Sequence, residues 1–78
     1  MSVDLRRHQF VKLRLRAEGR SLASIARELG VLQSSVTVVS QGYRRSHRIQ
    51  TAIAAALGTT PQTLFPDRYP KKEDLTPK

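Results

Sequence analysis

The sequence predicts an all-α fold, a single compact domain of about five short helices. Three observations point to it. Each of the four glycines closes an apolar segment: Gly19 after "LRLRAE", Gly30 after "SIAREL", Gly42 after "TVVSQ" and Gly58 after "AIAAAL", and glycine is the favoured residue just past a helix end. Helix-starting residues stand where new segments begin, Ser21 before "LASIAREL" and Thr60 before Pro61. The one cluster of β-branched residues, "SSVTVVSQG" at 34–42, has no second β-rich segment to pair with, and a lone hairpin is marginal.

Length and charge set the frame. A chain of 78 residues makes one domain and buries only about 60–65% of its unfolded surface. It has no cysteine, hence no disulfide and no thiolate metal site, which fits a reducing cytoplasm. The start "MSVDLRRHQF" has no apolar core of a signal peptide. No apolar run approaches the ~20 residues of a membrane span, so no membrane partner is expected. The net charge of +8 attracts polyanions, nucleic acid before anionic membrane. No acid stands between Glu28 and Asp67, whereas Arg44, Arg45 and Arg48 do.

The first element, "VKLRLRA", alternates apolar and polar residues like a strand, but Leu, Lys, Arg and Ala favour helix. As a helix it is expected to present Phe10, Leu13 and Ala17 on one stripe, with Val11 and Leu15 beside it. The next two form one unit, "LASIARELGVLQSSVTVVSQ". Ala26 falls where two helices cross closely, Gly30 makes the tight turn, and Ile25, Leu29 and Val31 flank it. Val36 and Val39 then point back into the same core. This is the pattern of a helix-turn-helix, residues 21–41, with a recognition helix over 33–41. Helix propensity costs its valines only a few tenths of a kcal/mol each. Burying Val36 and Val39 returns on the order of 1.5 kcal/mol each, so packing outweighs propensity. The fourth element, "SHRIQTAIAAAL", carries the stripe Ile49, Ile53, Ala56, Leu57, and "TPQTLF" adds a short turn of helix closed by Pro66. Residues 3–69 form the predicted domain. The segment 70–78, polar and proline-flanked, reads as a flexible, disordered tail.

With Val36 and Val39 inside, Gln33, Ser34, Thr37, Val38 and Gln41 face outward. Gln bonds adenine bidentately, Ser and Thr bond several bases, and Val touches a thymine methyl. These five are the candidate base-reading residues. The arginine that most often reads guanine is absent, so A·T positions are expected to matter. The candidate backbone contacts are Arg20, Ser21 and Ser24 at the start of the second helix, Ser35 on the third, and Arg44, Arg45, Ser46, His47 and Arg48 after it. A solvated helix surface is the bland alternative for each.

"GRSLASIARELG" and "IQTAIAAALGTTPQTLFPDRYP" resemble the Ner family, the small repressors of Mu-like bacteriophages and their Ner-like bacterial relatives. The resemblance covers roughly residues 9 to 70, and its most distinctive part is "IAAALGTTPQTLFPDRY". It implies a fold like the DNA-binding domain of the phage λ repressor and a negative regulator of transcription, or a host regulator of similar build. "VLQSSV" is similar to the Gln-Ser opening of λ-type recognition helices, which maps onto Gln33 and Ser34. The family is often labelled winged helix, yet no hairpin wing is expected in this sequence.

Other classes fit less well. Six carboxylates, four of them near the ends (Asp4, Asp67, Glu73, Asp74), and two unpartnered histidines, His8 and His47, offer no catalytic arrangement, and no metal, cofactor or small-molecule ligand is expected. A non-specific coating or architectural protein needs only charge and shape, not a Gln/Ser/Thr face. A protein-interaction module, such as an antitoxin or a transposition accessory factor, would use "FPDRYP" and Leu75, although core closure accounts equally for Phe65 and Tyr69. The expected partner is double-stranded DNA with paired half-sites, bound by a homodimer formed in solution or only on the DNA, in the bacterial cytoplasm and nucleoid.

Overall fold

The computed structural model describes residues 3–66 and residue 69. Five helices follow in order: α1 (Leu5–Ala17), α2 (Leu22–Leu29), α3 (Gln33–Gln41), α4 (His47–Ala56) and α5 (Pro61–Leu64). Among the described residues no strand forms, so the β-branched run is helical and no wing is present there. No helix of the described residues is long and apolar enough to cross a membrane. The expected tail, 70–78, lies outside the described residues.

Local chemistry sets the helix ends. Asp4 caps α1, its carboxylate accepting from the Arg7 N–H at 2.9 Å. Ser21 caps α2, Ser46 caps α4 and Thr60 caps α5, with Pro61 in the first turn. Gly30 ends α2 in the left-handed region at φ 70°, where a Cβ is strained. Its N–H donates to Ala26 and Arg27, and the Val31 N–H donates to Ala26 O at 3.0 Å, which turns the chain into α3.

The core joins all the layers: Val11 and Leu15 of α1, Leu22, Ile25 and Ala26 of α2, Val36 and Val39 of α3, Ile49 and Ile53 of α4, and Phe65. Ala26 is 3% exposed, and its lone methyl lets α2 and α3 approach. Phe65 is fully buried and the Arg7 guanidinium lies over its ring at 4.7 Å, so Phe65 serves core closure. Ala56 and Leu57 pack partly buried against the cluster.

The stripe expected on α1 is corrected. Phe10 and Leu13 are 49% and 64% exposed and Ala17 is exposed; the buried face is His8, Val11 and Leu15. A polar pair shares that face with the two aliphatics. His8 Nδ1 and Ser40 Oγ share a hydrogen bond of 2.8 Å, both residues buried. Burial, and secondarily the Lys12 charge, hold the His8 pKa below its ordinary value, which suits a neutral imidazole in that bond. Phe10 and Leu13 fall on opposite flanks of α1, each bordering its own groove.

A second polar cluster closes the far side. Gln50 is 2% exposed. Its Oε1 accepts from the Ser46 N–H at 3.0 Å and its Nε2 donates to the Tyr69 hydroxyl at 2.9 Å. That hydroxyl also shares a hydrogen bond of 2.7 Å with His47 Nδ1.

Candidate nucleic-acid interface

The helix-turn-helix is built as α2, the Gly30–Val31–Leu32 turn, and α3. Successive residues of an α-helix are turned by about 100°. Gln33, Thr37, Gln41, Ser34 and Val38 therefore share an arc of about 140° along α3. Val36, Val39 and Ser40, all buried, occupy the other side. Gln33 and Ser34 are exposed; Thr37, Val38 and Gln41 are half-buried. The five residues singled out as base readers lie together on one uncharged face. An α-helix with its side chains is about 10–12 Å across, a diameter that a major groove about 12 Å wide admits. Thr37 Oγ1 donates back to Gln33 O at 3.0 Å, which fixes its rotamer and leaves its methyl and hydroxyl lone pairs on that face.

Of the residues singled out as backbone contacts, Arg20 and Ser21 share a recess with Gln33, and several have internal duties. Ser21 and Ser24 cap each other: each hydroxyl accepts from the other's N–H, at 3.1 and 2.9 Å. Arg20 is held by Glu28, one guanidinium nitrogen lying 2.6 Å from both carboxylate oxygens. Ser35 is half-buried and its N–H donates to Leu32 O at 3.0 Å. Arg44 and Arg45 are exposed in the turn between α3 and α4. Ser46 takes up two first-turn N–H groups of α4, Ile49's with its hydroxyl and Gln50's with its carbonyl. His47, expected to face solvent or phosphate, is linked to Tyr69, with their rings 5.6 Å apart edge to face. Arg48 reaches across and donates to Leu29 O at 2.6 Å, placing a positive charge at the C-terminus of α2, where the helix dipole favours it.

Sequence reasoning passed over three features. Leu32 is 73% exposed and Tyr43 is 56% exposed, so a large apolar side chain stands at each end of α3. A signal was available: each lies just outside the recognition helix and belongs to no apolar stripe. The third is on α1, where Gln9, Lys12, Leu13 and Arg16 line a recess shared with Arg20, Ser21 and Gln33. The spacing of these α1 residues is helical, but the misassigned core stripe concealed it.

Among the described residues no cluster of acids and histidines that could hold a metal ion occurs. Comparison with curated proteins and with solved structures gives no match. A family model described as winged helix-turn-helix DNA-binding matches residues 5–78. The match takes in every helix, the uncharged face of α3 and the basic turn after it, and the chain belongs to the winged helix-turn-helix DNA-binding family.

Proposed function

We propose that the protein is a sequence-specific transcriptional regulator of phage or prophage type, a repressor that reads the major groove with α3. The observation that carries this reading is the uncharged Gln33, Ser34, Thr37, Val38, Gln41 arc, set between the Ser21 end of α2 and the arginines 44 and 45. Amide and hydroxyl groups at that density suit base edges, whereas a protein that only coats DNA needs charge there. The resemblance to the Ner family supports repression and the phage setting; those two points rest on it alone. In this reading Arg20, Ser21, Ser24, Ser35, Arg44, Arg45, Ser46, His47 and Arg48 border the phosphates, residues 3–69 are the working domain, and no catalytic step is involved. A single domain makes few base contacts, so two protomers bind paired half-sites about 10 bp apart or a multiple of that.

Selection from a random duplex library at about 0.15 M salt tests this. The expected result is an enriched motif of two spaced half-sites with A·T positions. Gln33→Ala is expected to relax one position at a cost of about 1–3 kcal/mol. Arg45→Ala is expected to weaken all sequences alike and lower the salt slope by about 0.9. DNA retained with no enriched motif refutes the reading in favour of non-specific coating.

A further inference from the structure

We infer that α1 carries a second phosphate-binding site for the same duplex, formed by Lys12 and Arg16 against the start of α2. The inference rests on the reading that α3 enters the major groove. Gln9, Lys12, Leu13 and Arg16 recur at helical spacing on one flank of α1, away from the buried His8, Val11 and Leu15. That flank forms one wall of a recess of about 420 Å³. Ser21, Leu22 and Ala23 from the first turn of α2 and Gln33 from the first turn of α3 form the opposite side. The recess therefore adjoins the leading end of the base-reading arc. DNA carries a negative charge every ~1.7 Å of its axis, so a duplex engaged by Gln33 brings its backbone over this wall.

The chemistry of the recess suits a phosphodiester. No acidic residue lines it. Of its three cations, Arg20 is already occupied by Glu28, which leaves Lys12 and Arg16, both exposed, to supply the attraction. Leu13, 64% exposed between them, presents an apolar surface of the kind a deoxyribose ring covers. An exposed leucine inside a basic stripe thus has an occupant, where a merely solvated stripe gives it none.

The test compares two double variants that remove the same charge from opposite flanks of α1. Lys12→Gln/Arg16→Gln alters the recess. Arg6→Gln/Arg14→Gln alters the groove on the other side, which Phe10 and Leu64 also line. Binding to a fixed duplex is measured across a salt series, with far-UV circular dichroism verifying the fold. The slope of log K against log salt is expected to fall by about 1.8 for the first variant, two contacts at about 0.9 each, and far less for the second. The base motif is expected to be the same in both. Equal losses in the two variants, or no loss in the first, overturn the inference. A duplex series with a single neutral methylphosphonate at successive positions gives a check that holds even if the double variant folds poorly. Wild-type protein is expected to lose affinity at the two phosphates that Lys12 and Arg16 neutralise beyond the α3 footprint, and a footprint without those positions overturns the site. Failure of the α3 reading is separately visible, as a library selection without a motif, and the slope comparison on any duplex still decides the role of α1.

Discussion

Val36→Ala and Val38→Ala, two residues apart on α3, are expected to have opposite consequences. Val36 is fully buried and Val38 half-buried on the proposed base-reading arc. Truncating Val36 removes two methyl groups from the core, about 1.6 kcal/mol of transfer free energy at ~0.8 per group. The vacated space adds about 1 kcal/mol, because the neighbours relax only partly. Alanine's better helix propensity returns roughly 0.5 kcal/mol. The net loss is about 2 kcal/mol, a Tm lower by about 8–16 °C in a domain of this size. At Val38 the burial lost is smaller and the propensity gain is similar, so stability changes by less than about 0.5 kcal/mol. Urea melts followed by circular dichroism measure both. Library selection on the two variants completes the comparison: Val36→Ala keeps the wild-type motif, while Val38→Ala alters preference where its methyls meet thymine. Equal destabilisation by the two substitutions would refute the helical phase, and with it the assignment of the base-reading arc.

Other outcomes follow from the polar contacts. The unfolded chain protonates His8 near pH 6.5, whereas in the fold its pKa is lower. As pH falls below about 6.5 the unfolded state takes up more protons, so stability is full above that value and declines until the folded imidazole also titrates. Urea midpoints between about pH 7.5 and pH 5 should show the decline, and His8→Gln should remove this component. Arg48→Met keeps the aliphatic stem but loses the bond to Leu29 O, which is expected to cost about 1 kcal/mol in the same melts. Glu28→Gln leaves stability within about 0.5 kcal/mol, since the pair is exposed; by releasing Arg20 it should tighten DNA binding and steepen the salt slope by up to about 0.9.

The helix-turn-helix was legible because its signals are local. A small residue at 26, a glycine at 30 and valines at 36 and 39 must sit at fixed offsets, and tertiary packing overrides the strand preference of the valines. The caps at Ser21, Ser46 and Thr60 follow from short-range chemistry alone. The phase of α1 was not legible. "FVKLRLRA" offers apolar residues on two competing stripes, and the buried one, Val11 and Leu15, is joined by His8, which hydropathy counts as surface. Its partner Ser40 lies 32 residues away, beyond any local pattern. The same reason hides the internal bonds of Arg48, Gln50 and Tyr69, each made across 19 or more residues. Sequence spacing placed the candidate readers of α3 on one face, but it gave no view of what α1 lays beside them.

The His8–Ser40 bond also bears on coding. Valine side chains are similar in shape, and α3 carries three, at 36, 38 and 39, so apolar contacts oppose a small roll of the helix less sharply than a directional bond does. A hydrogen bond inside the core tolerates no such roll, because losing it strands a buried hydroxyl and a buried ring nitrogen. Ser40 therefore acts as the key on a shaft: with Val36 and Val39 it indexes the rotation of α3, and under the proposed reading it fixes which side chains face the bases. Substitutions on the outer arc are then expected to leave the angle at which that arc is presented unchanged, because it is fixed from within.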